Sequence, residues 1–363
     1  MTEPSAYELE AWRNVKLFKG RPISNGMRSA GEQVTNGATK FKGRATQYLA
    51  NRPGADFVAK SAKTVGTKAR QAVDAIPDGL TDWGGAVLGS AQQTAARIAR
   101  VGLSPKGMVK KHVKLGHDVA LLSDLRRLDL QQIDAVRGRG AQWGYPIIAA
   151  ASGAVAGVLI TGGELAVPLT GGAAAAPSGG VIAGAFFGDA AVVLSLSSRC
   201  VGATSLLYGY DPEDPAEKLF IMSVVNAGTA MSASAKTAAM ADISRLTQAL
   251  VRGRTWAVLD RSLVSQVSKQ FAKAFGTRLT KQGLGKVIPA AGTLIGFTLN
   301  WATLESIVDV ANNEYRKRFL LEKYAHLAAE EASAPFTDGV PDEADEVISV
   351  IGEIVEAGGP DLH

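Results

Sequence analysis

One cysteine, Cys200, stands in a chain of 363 residues. A disulfide within the chain is therefore excluded, and the thiol content gives no argument for an oxidising compartment. Set in an apolar stretch, Cys200 reads as a small buried hydrophobe. Histidine is scarce too: His112, His117, His326 and His363. His112 and His117 are five apart, about 140° from each other around a helix, so they do not make the i,i+4 metal pair of a helical zinc site. No G-x-x-x-x-G-K-[ST] phosphate loop occurs, and "GLGKV" at residues 283–287 is too short to be one. G-x-S-x-G is missing, which leaves a nucleophile elbow without support. Alternating strand patterns are missing as well, and this predicts an all-α fold. The N-terminus, "MTEPSAYELEAWRNVKLFKG", opens acidic and lacks the roughly 7–15-residue apolar core of a secretory signal. The reading therefore expects no catalytic residue, no metal and no cofactor. It expects a cytoplasmic location, peripheral to or partly inserted in the cytoplasmic membrane.

Glycine and a lopsided charge are what the chain does have. Gly numbers 40, hydrophobic residues make up 46%, charged residues 20% and aromatics only 6%. The length suffices for one large or two ordinary domains. The net charge is +5, yet residues 1–120 hold 19 Lys and Arg against 9 Asp and Glu, and residues 325–363 hold 10 acidic residues and no Lys or Arg. A basic front end can meet anionic lipid, nucleic acid or the chain's own acidic tail. Its Lys and Arg are spread out, and no recognised nucleic-acid motif accompanies them, so nucleic acid is not an expected partner.

Residues 1–75 are polar, basic and punctuated by Gly and Pro, which predicts a partly disordered or helical segment. Within it, "AYELEAWRNVKLF" places Leu9, Trp12, Lys16 and Leu17 at helical spacing. Ser104 and Pro105 suit the cap and first residue of a helix. That helix is predicted to run through "MVKKHVKLGHDVALLSDLRRLDLQQIDAVRGRG" on a stripe of Leu121, Leu122, Leu125, Leu128 and Ile133. Between Gly140 and Ser198 the only charges are Glu164 and Asp189. There, "WGYPIIAAASGAVAGVLITGG" has the length of a membrane span and sets Gly153 and Gly157 four apart. "SGGVIAGAFFGDAAVVLSLS" spaces Gly180, Gly184 and Gly188 in the same way, and a third apolar patch carries Gly292 and Gly296. A glycine every fourth residue lines one side of a helix and lets another helix approach closely, as in a glycine zipper. The prediction is a multi-helix bundle around a Gly/Ala-rich apolar helical hairpin at residues 145–207. Ile147, Ile148, Val155, Val158, Leu159 and Ile160 favour insertion by about −2 to −4 kcal/mol, while Asp189 costs about 2.5–3.5 kcal/mol near a bilayer centre. That balance lies near zero, so burial in a helical shell and insertion in a bilayer both stay open.

After the hairpin comes "YGYDPEDPAEKLF", residues 208–220. Gly209 suits a helix C-cap, and Asp214, Pro215 and Glu217 make an acidic cap, a first-position proline and a third-position glutamate. Asp211, Glu213 and Asp214 cluster, and the prolines around them favour capping over a divalent-ion site. Downstream, Ile288-Pro289 with Gly292 and Gly296 lead into Arg318, Phe319, Leu320, Glu322, Lys323 and Tyr324. Upstream stands "IPDGLTDW", residues 76–83. In this order the pieces resemble the EcsC protein family of bacteria, over roughly residues 75–325. The signature residues by that resemblance are Tyr208, Gly209, Tyr210, Asp211, Arg318, Phe319, Glu322, Lys323 and Tyr324. Caps and turns suffice to explain them. The family takes its name from the third member of an operon encoding an ABC transporter, which implies an accessory part at the cytoplasmic membrane; the resemblance brings no catalytic residue onto a position of this sequence.

Three parts are therefore expected: a basic segment at residues 1–75, an EcsC-like helical domain at 76–325 and an acidic tail at 326–363. The expected function is that of a non-catalytic, membrane-associated accessory protein. Its partner would be an anionic membrane surface or a membrane protein, and its Gly-rich helices would allow oligomerisation. Two rivals stay open. One is a pore-forming toxin or effector with a stored apolar hairpin. The other is a hydrolase whose site is assembled from residues far apart in sequence.

Overall fold

A computed structural model describes residues 3–18, 103–137, 179–230, 233–252, 261–284, 292–332 and 348–360, with the backbone alone for 179–192, 261–262, 276–284 and 292–302. The elements in chain order are α1 (Ala6–Leu17), α2 (Pro105–Lys114), a 3-10 helix (Leu122–Arg127), α3 (Leu130–Arg137), α4 (Gly179–Leu207), α5 (Pro215–Thr229), α6 (Ala233–Val251), α7 (Arg261–Leu284), α8 (Gly292–Lys323), α9 (Ala325–Ala332) and α10 (Val350–Glu356). No strand occurs among the described residues, and the chain is all-α.

The bundle is organised around α5. Every residue from Leu219 to Thr229 is buried. A helix apolar on all sides belongs at the centre of a fold, and α5 packs against α4, α6, α7, α8 and α10. Its few polar groups find partners along the helix: the Ser223 and Thr229 hydroxyls donate to the carbonyls of Leu219 and Val225 at 3.1 and 2.8 Å. Asn226 Nδ2 reaches across to the carbonyl of Ile348 at 2.5 Å. At Gly228 the α8 backbone comes so close that an added Cβ would lie 2.7 Å from Ile307 Cα. This notch is absent from the seven glycines picked out by spacing.

Both ends of the chain enter the same core. Ala11, Trp12 and Val15 of α1 are buried, as are Val350, Ile351 and Ile354 of α10. In α1 the buried face differs from the predicted one. Leu9 and Leu17 are 40% and 75% exposed, while Glu8 is buried, because its carboxylate has partners inside. The long helix predicted downstream of Ser104 is three pieces: α2 stops at Lys114, Gly116 takes a positive φ of +82°, and the chain resumes as the 3-10 helix and α3. Leu125 and Ile133 of the predicted stripe are fully buried, but Leu121 is 65% exposed.

Gly153, Gly157, the 145–163 arm, the 76–83 segment and Ile288-Pro289 lie outside the described residues. Gly180, Gly184 and Gly188 fall on α4, and Gly292 and Gly296 on the start of α8, where the backbone alone is described. Among the described residues no helix is long and apolar enough to cross a membrane.

Candidate functional site

The turn between α4 and α5 gathers most of the predicted signature. The Gly209 amide donates to the carbonyl of Leu206 at 3.1 Å and the Tyr210 amide to that of Ser205 at 2.9 Å. This pair of bonds is the Schellman closure of a helix end, and its left-handed residue is Gly209, with φ +84°. Tyr208 and Tyr210 are thereby turned into the core, at 0% and 2% exposure. Asp214 occupies the N-cap of α5 with Pro215 behind it, but its side chain makes no capping hydrogen bond. Asp211 accepts from the Glu213 amide at 3.0 Å, and Glu213 pairs with Lys218. Among the described residues no group of three or more His, Cys, Asp or Glu could hold a metal ion.

Glu217 departs from the capping reading. Instead of closing a capping box, its carboxylate lies 3% exposed against α8. It accepts from Arg318 Nη1 at 2.8 Å and from the Tyr315 hydroxyl. Burial pushes its pKa up against the pull of Arg318 and Tyr315. Burial also disfavours the charged Arg318 guanidinium, but Glu217, Tyr210 and Glu322 more than offset it, and the Arg318 pKa is raised. Arg318 further donates from Nε to Glu322 at 2.8 Å and lies 4.0 Å from the centre of the Tyr210 ring. Arg126 flanks the same ring at 4.9 Å, donates to the Gly209 carbonyl at 3.2 Å and stands 3.6 Å from Glu322. Tyr208 stacks on Tyr315 with ring centres 6.2 Å apart and meets Phe319 at 5.9 Å. Two arginines balance two glutamates in this cluster, and each charge has a partner there. The arrangement is a latch between the α4–α5 turn, the 3-10 helix and α8.

Lys323 and Tyr324, the remaining signature residues, belong to a second latch. Glu8 of α1 accepts from Lys323 Nζ at 2.7 Å, from the Tyr324 hydroxyl at 2.5 Å, and from the amides of Leu130 and Ser5 at 3.1 and 3.2 Å. Burial alone would raise the Glu8 pKa, but these four donors overcome it and hold it below the usual carboxylate value. Lys323 also donates to the Leu128 carbonyl at 2.8 Å. Nothing in sequence spacing links Glu8 to a lysine more than 300 positions away, and the reading missed it.

Histidine needs a correction as well. Because α2 stops at Lys114 and the chain turns at Gly116, His117 folds back beside His112, with the two Nδ1 atoms 2.9 Å apart. The 140° separation applied to a helix that does not continue. His112 is fully buried, and burial together with His117 pushes its pKa down to about 4.

The surface feature that stands out is α2, "PKGMVKKHVK". Ser104 caps it by accepting from the Gly107 amide at 3.0 Å, with Pro105 in the first turn, as predicted. Lys106, Lys110, Lys111 and Lys114 are exposed, and the helix has no acidic residue. Lys106, Lys110, Val113 and Lys114 fall on one stripe. Val113 is 52% exposed, and Leu115 and Leu121 in the following loop are 54% and 65% exposed. Behind this helix, against α3, α4 and α8, lies a cavity of about 310 Å³. Among the described residues, its lining includes Lys111, Arg137 and Arg199 and no Asp, Glu or His. Arg199 had one sequence signal: it is the first basic residue after the charge-poor stretch.

The EcsC protein family matches residues 63–320. A curated relative, the uncharacterized protein YdbA of Bacillus subtilis (strain 168), is 27% identical over 137 residues, which is 37% of this chain and 47% of that protein. The chain thus spans about half the length of that relative. No solved structure matches.

Proposed function

The chain belongs to the EcsC protein family, and on that premise we propose that it is a non-catalytic accessory protein that docks peripherally on the cytoplasmic membrane. The observation that carries this reading is the exposed face of α2 and its loop: Lys106, Lys110 and Lys114 around Val113, with Leu115 and Leu121 beside them. Lysines attract the negative potential of an anionic leaflet, at about 1 kcal/mol for each one near the surface. Exposed aliphatic side chains then enter the headgroup layer. The charge-satisfied latches hold the bundle that presents this face, which suits a protein that adheres rather than reacts. An ABC transporter in the same membrane is the partner the family name suggests.

The test is flotation of the full chain with vesicles of phosphatidylcholine, with or without phosphatidylserine. Binding is expected only to the anionic vesicles, and high salt abolishes it. Replacing Lys106, Lys110 and Lys114 together by Gln weakens binding on the order of 100-fold, from about 1 kcal/mol each. Equal binding to neutral vesicles, or indifference to the three substitutions, would falsify this docking mode.

A further inference from the structure

We infer that the His112–His117 contact is an acid-released clasp that holds α2 on the bundle and so regulates the docking face. The regulation rests on the membrane-docking reading, while the clasp itself is tested without a membrane.

The end of α2 explains why the two imidazoles meet. The His117 amide donates to the His112 carbonyl at 3.1 Å and the Gly116 amide to that of Val113 at 3.0 Å. With Gly116 at φ +82°, these bonds close α2 in a Schellman motif. His112 is then the third residue from the helix end and His117 the second beyond the cap, positions that an apolar contact commonly joins. Here the contact is a hydrogen bond between two titratable rings, with the Nδ1 atoms 2.9 Å apart. Within α2 the buried residue is His112, and Met108 and Val109 lie partly buried against the core. A helix with four exposed lysines is thus seated through a histidine.

Proton counting makes that seat sensitive to acid. One proton fits between the two Nδ1 atoms, so one ring donates and the other accepts. While both rings are neutral, His112 can leave its Nε2 without a proton. That atom is buried and has no hydrogen-bond partner among the described residues. If His112 takes a second proton, Nε2 carries it. If His117 does, its Nδ1–H donates to His112, whose own proton then sits on Nε2. Either way a buried N–H is stranded, and charging both rings also sets two cations against each other.

Neighbouring charges give no relief. α2 packs against the 3-10 helix and α4, whose described charged side chains are Asp124, Arg126, Arg127 and Arg199. Asp124 accepts from the amides of Ala120 and Leu121 at 2.9 and 2.7 Å and stands 3.8 Å from Arg127. Arg126 donates to the Gly209 carbonyl. The Cys200 thiol, pushed up to about 12 by burial, stays neutral. Asp118 is exposed in the connecting loop, and the other charges of α2 itself are lysines. Among the described residues no carboxylate pairs with either imidazole.

Once α2 lifts, the His112 ring reaches water and takes its proton without penalty. Acid therefore favours a released helix, with Met108 and Val109 uncovered and positive charge added beside the lysines. Both changes favour an anionic bilayer. Burial and His117 push the seated His112 down to about 4 from the ordinary 6.5. Across that window the lifted state binds more protons, so its population rises roughly 20-fold between pH 7 and 5.

Hydrogen exchange on the full chain at pH 7 and 5, corrected for the intrinsic effect of pH, reads the clasp. Protection of the α2 amides is expected to fall roughly 20-fold relative to those of α5. In His112→Phe the ratio is expected to stay within about 2-fold, and His112→Leu serves the same purpose if the aromatic ring does not fit the seat. Flotation with vesicles of phosphatidylcholine and phosphatidylglycerol at the same two pH values is the second arm. The parent is expected to bind at least about 5-fold more tightly at pH 5, and His112→Phe to lose most of that gain. A fall in α2 protection with no vesicle binding at either pH would keep the clasp and overturn the docking reading. The same fall with equal binding at both pH values would overturn the regulation. Unchanged protection in the parent, or an equal fall in the variants, would overturn the clasp whatever the vesicles show.

Discussion

Removing the guanidinium of Arg318 leaves Glu217 buried with one donor, the Tyr315 hydroxyl. Breaking a buried ion pair from one side costs about 3–5 kcal/mol, because the remaining charge is stranded. Arg318→Met is therefore expected to lower the unfolding free energy by that amount in chemical denaturation. Adding Glu217→Gln should restore much of the loss, and a double variant no better than the single one would show that the pair is not the source. At Gly228 the cost comes from volume. The Ile307 backbone leaves no room for a Cβ, and overpacking a core costs about 1–3 kcal/mol. Gly228→Ala is expected to fall in that range by the same measurement. His112 makes stability depend on pH. The unfolded imidazole takes up a proton below its ordinary 6.5, while the buried one does so only near 4. Across that window the unfolded state binds more protons, so the stability present above pH 6.5 declines as pH falls. In urea titrations between pH 7 and 4, His112→Phe is expected to flatten that decline, and an unchanged slope would remove His112 as its cause.

Among the elements, α1 shows how a helix far outside the core segment is held. Its own capping box, Ser5 with Glu8, starts the helix, and Ala11, Trp12 and Val15 bury an apolar edge. Glu8 then ties it to α8 and α3 through Lys323, Tyr324 and the Leu130 amide. The depressed pKa of Glu8 contributes stability that is complete above its unfolded value of 4.5 and is lost as pH falls through the lower folded value. Glu8→Ala is expected to raise hydrogen exchange across α1 at neutral pH while the amides of α5 stay protected. Uniform loss of protection would show that α1 is not a separate element.

Much of this was legible from sequence where the signal is local. Ser104-Pro105 started a helix where expected, Gly209 ended one, and the Tyr-Gly-Tyr and Arg-Phe runs marked a true cluster. The failures were of long range. Glu217 looked like a capping residue because its partner Arg318 lies 101 positions away. Leu9 and Leu17 looked like the buried face of α1 because hydrophobicity cannot foresee a carboxylate with four donors. The lysines of α2 were dissolved in a spread-out basic segment until the break at Gly116 made them one short helix. Arg137 and Arg199 carried no motif at all, since a cavity is a property of packing.

For the whole molecule, the charge asymmetry of the sequence gains a location at α2, with its four exposed lysines and no acid. The acidic end is partly inside: Ile348, Val350, Ile351 and Ile354 are buried in the common core, so this part of the tail is anchored on the bundle. The central claim is peripheral, charge-driven attachment. Fractionation of expressing cells tests it most directly, with the membrane pellet washed first in high salt and then in alkaline carbonate. The account predicts that the chain sediments with membranes and is released by salt alone. Retention through carbonate would contradict it by placing an apolar segment within the bilayer, and a chain found wholly in the soluble fraction would contradict it by removing the membrane altogether.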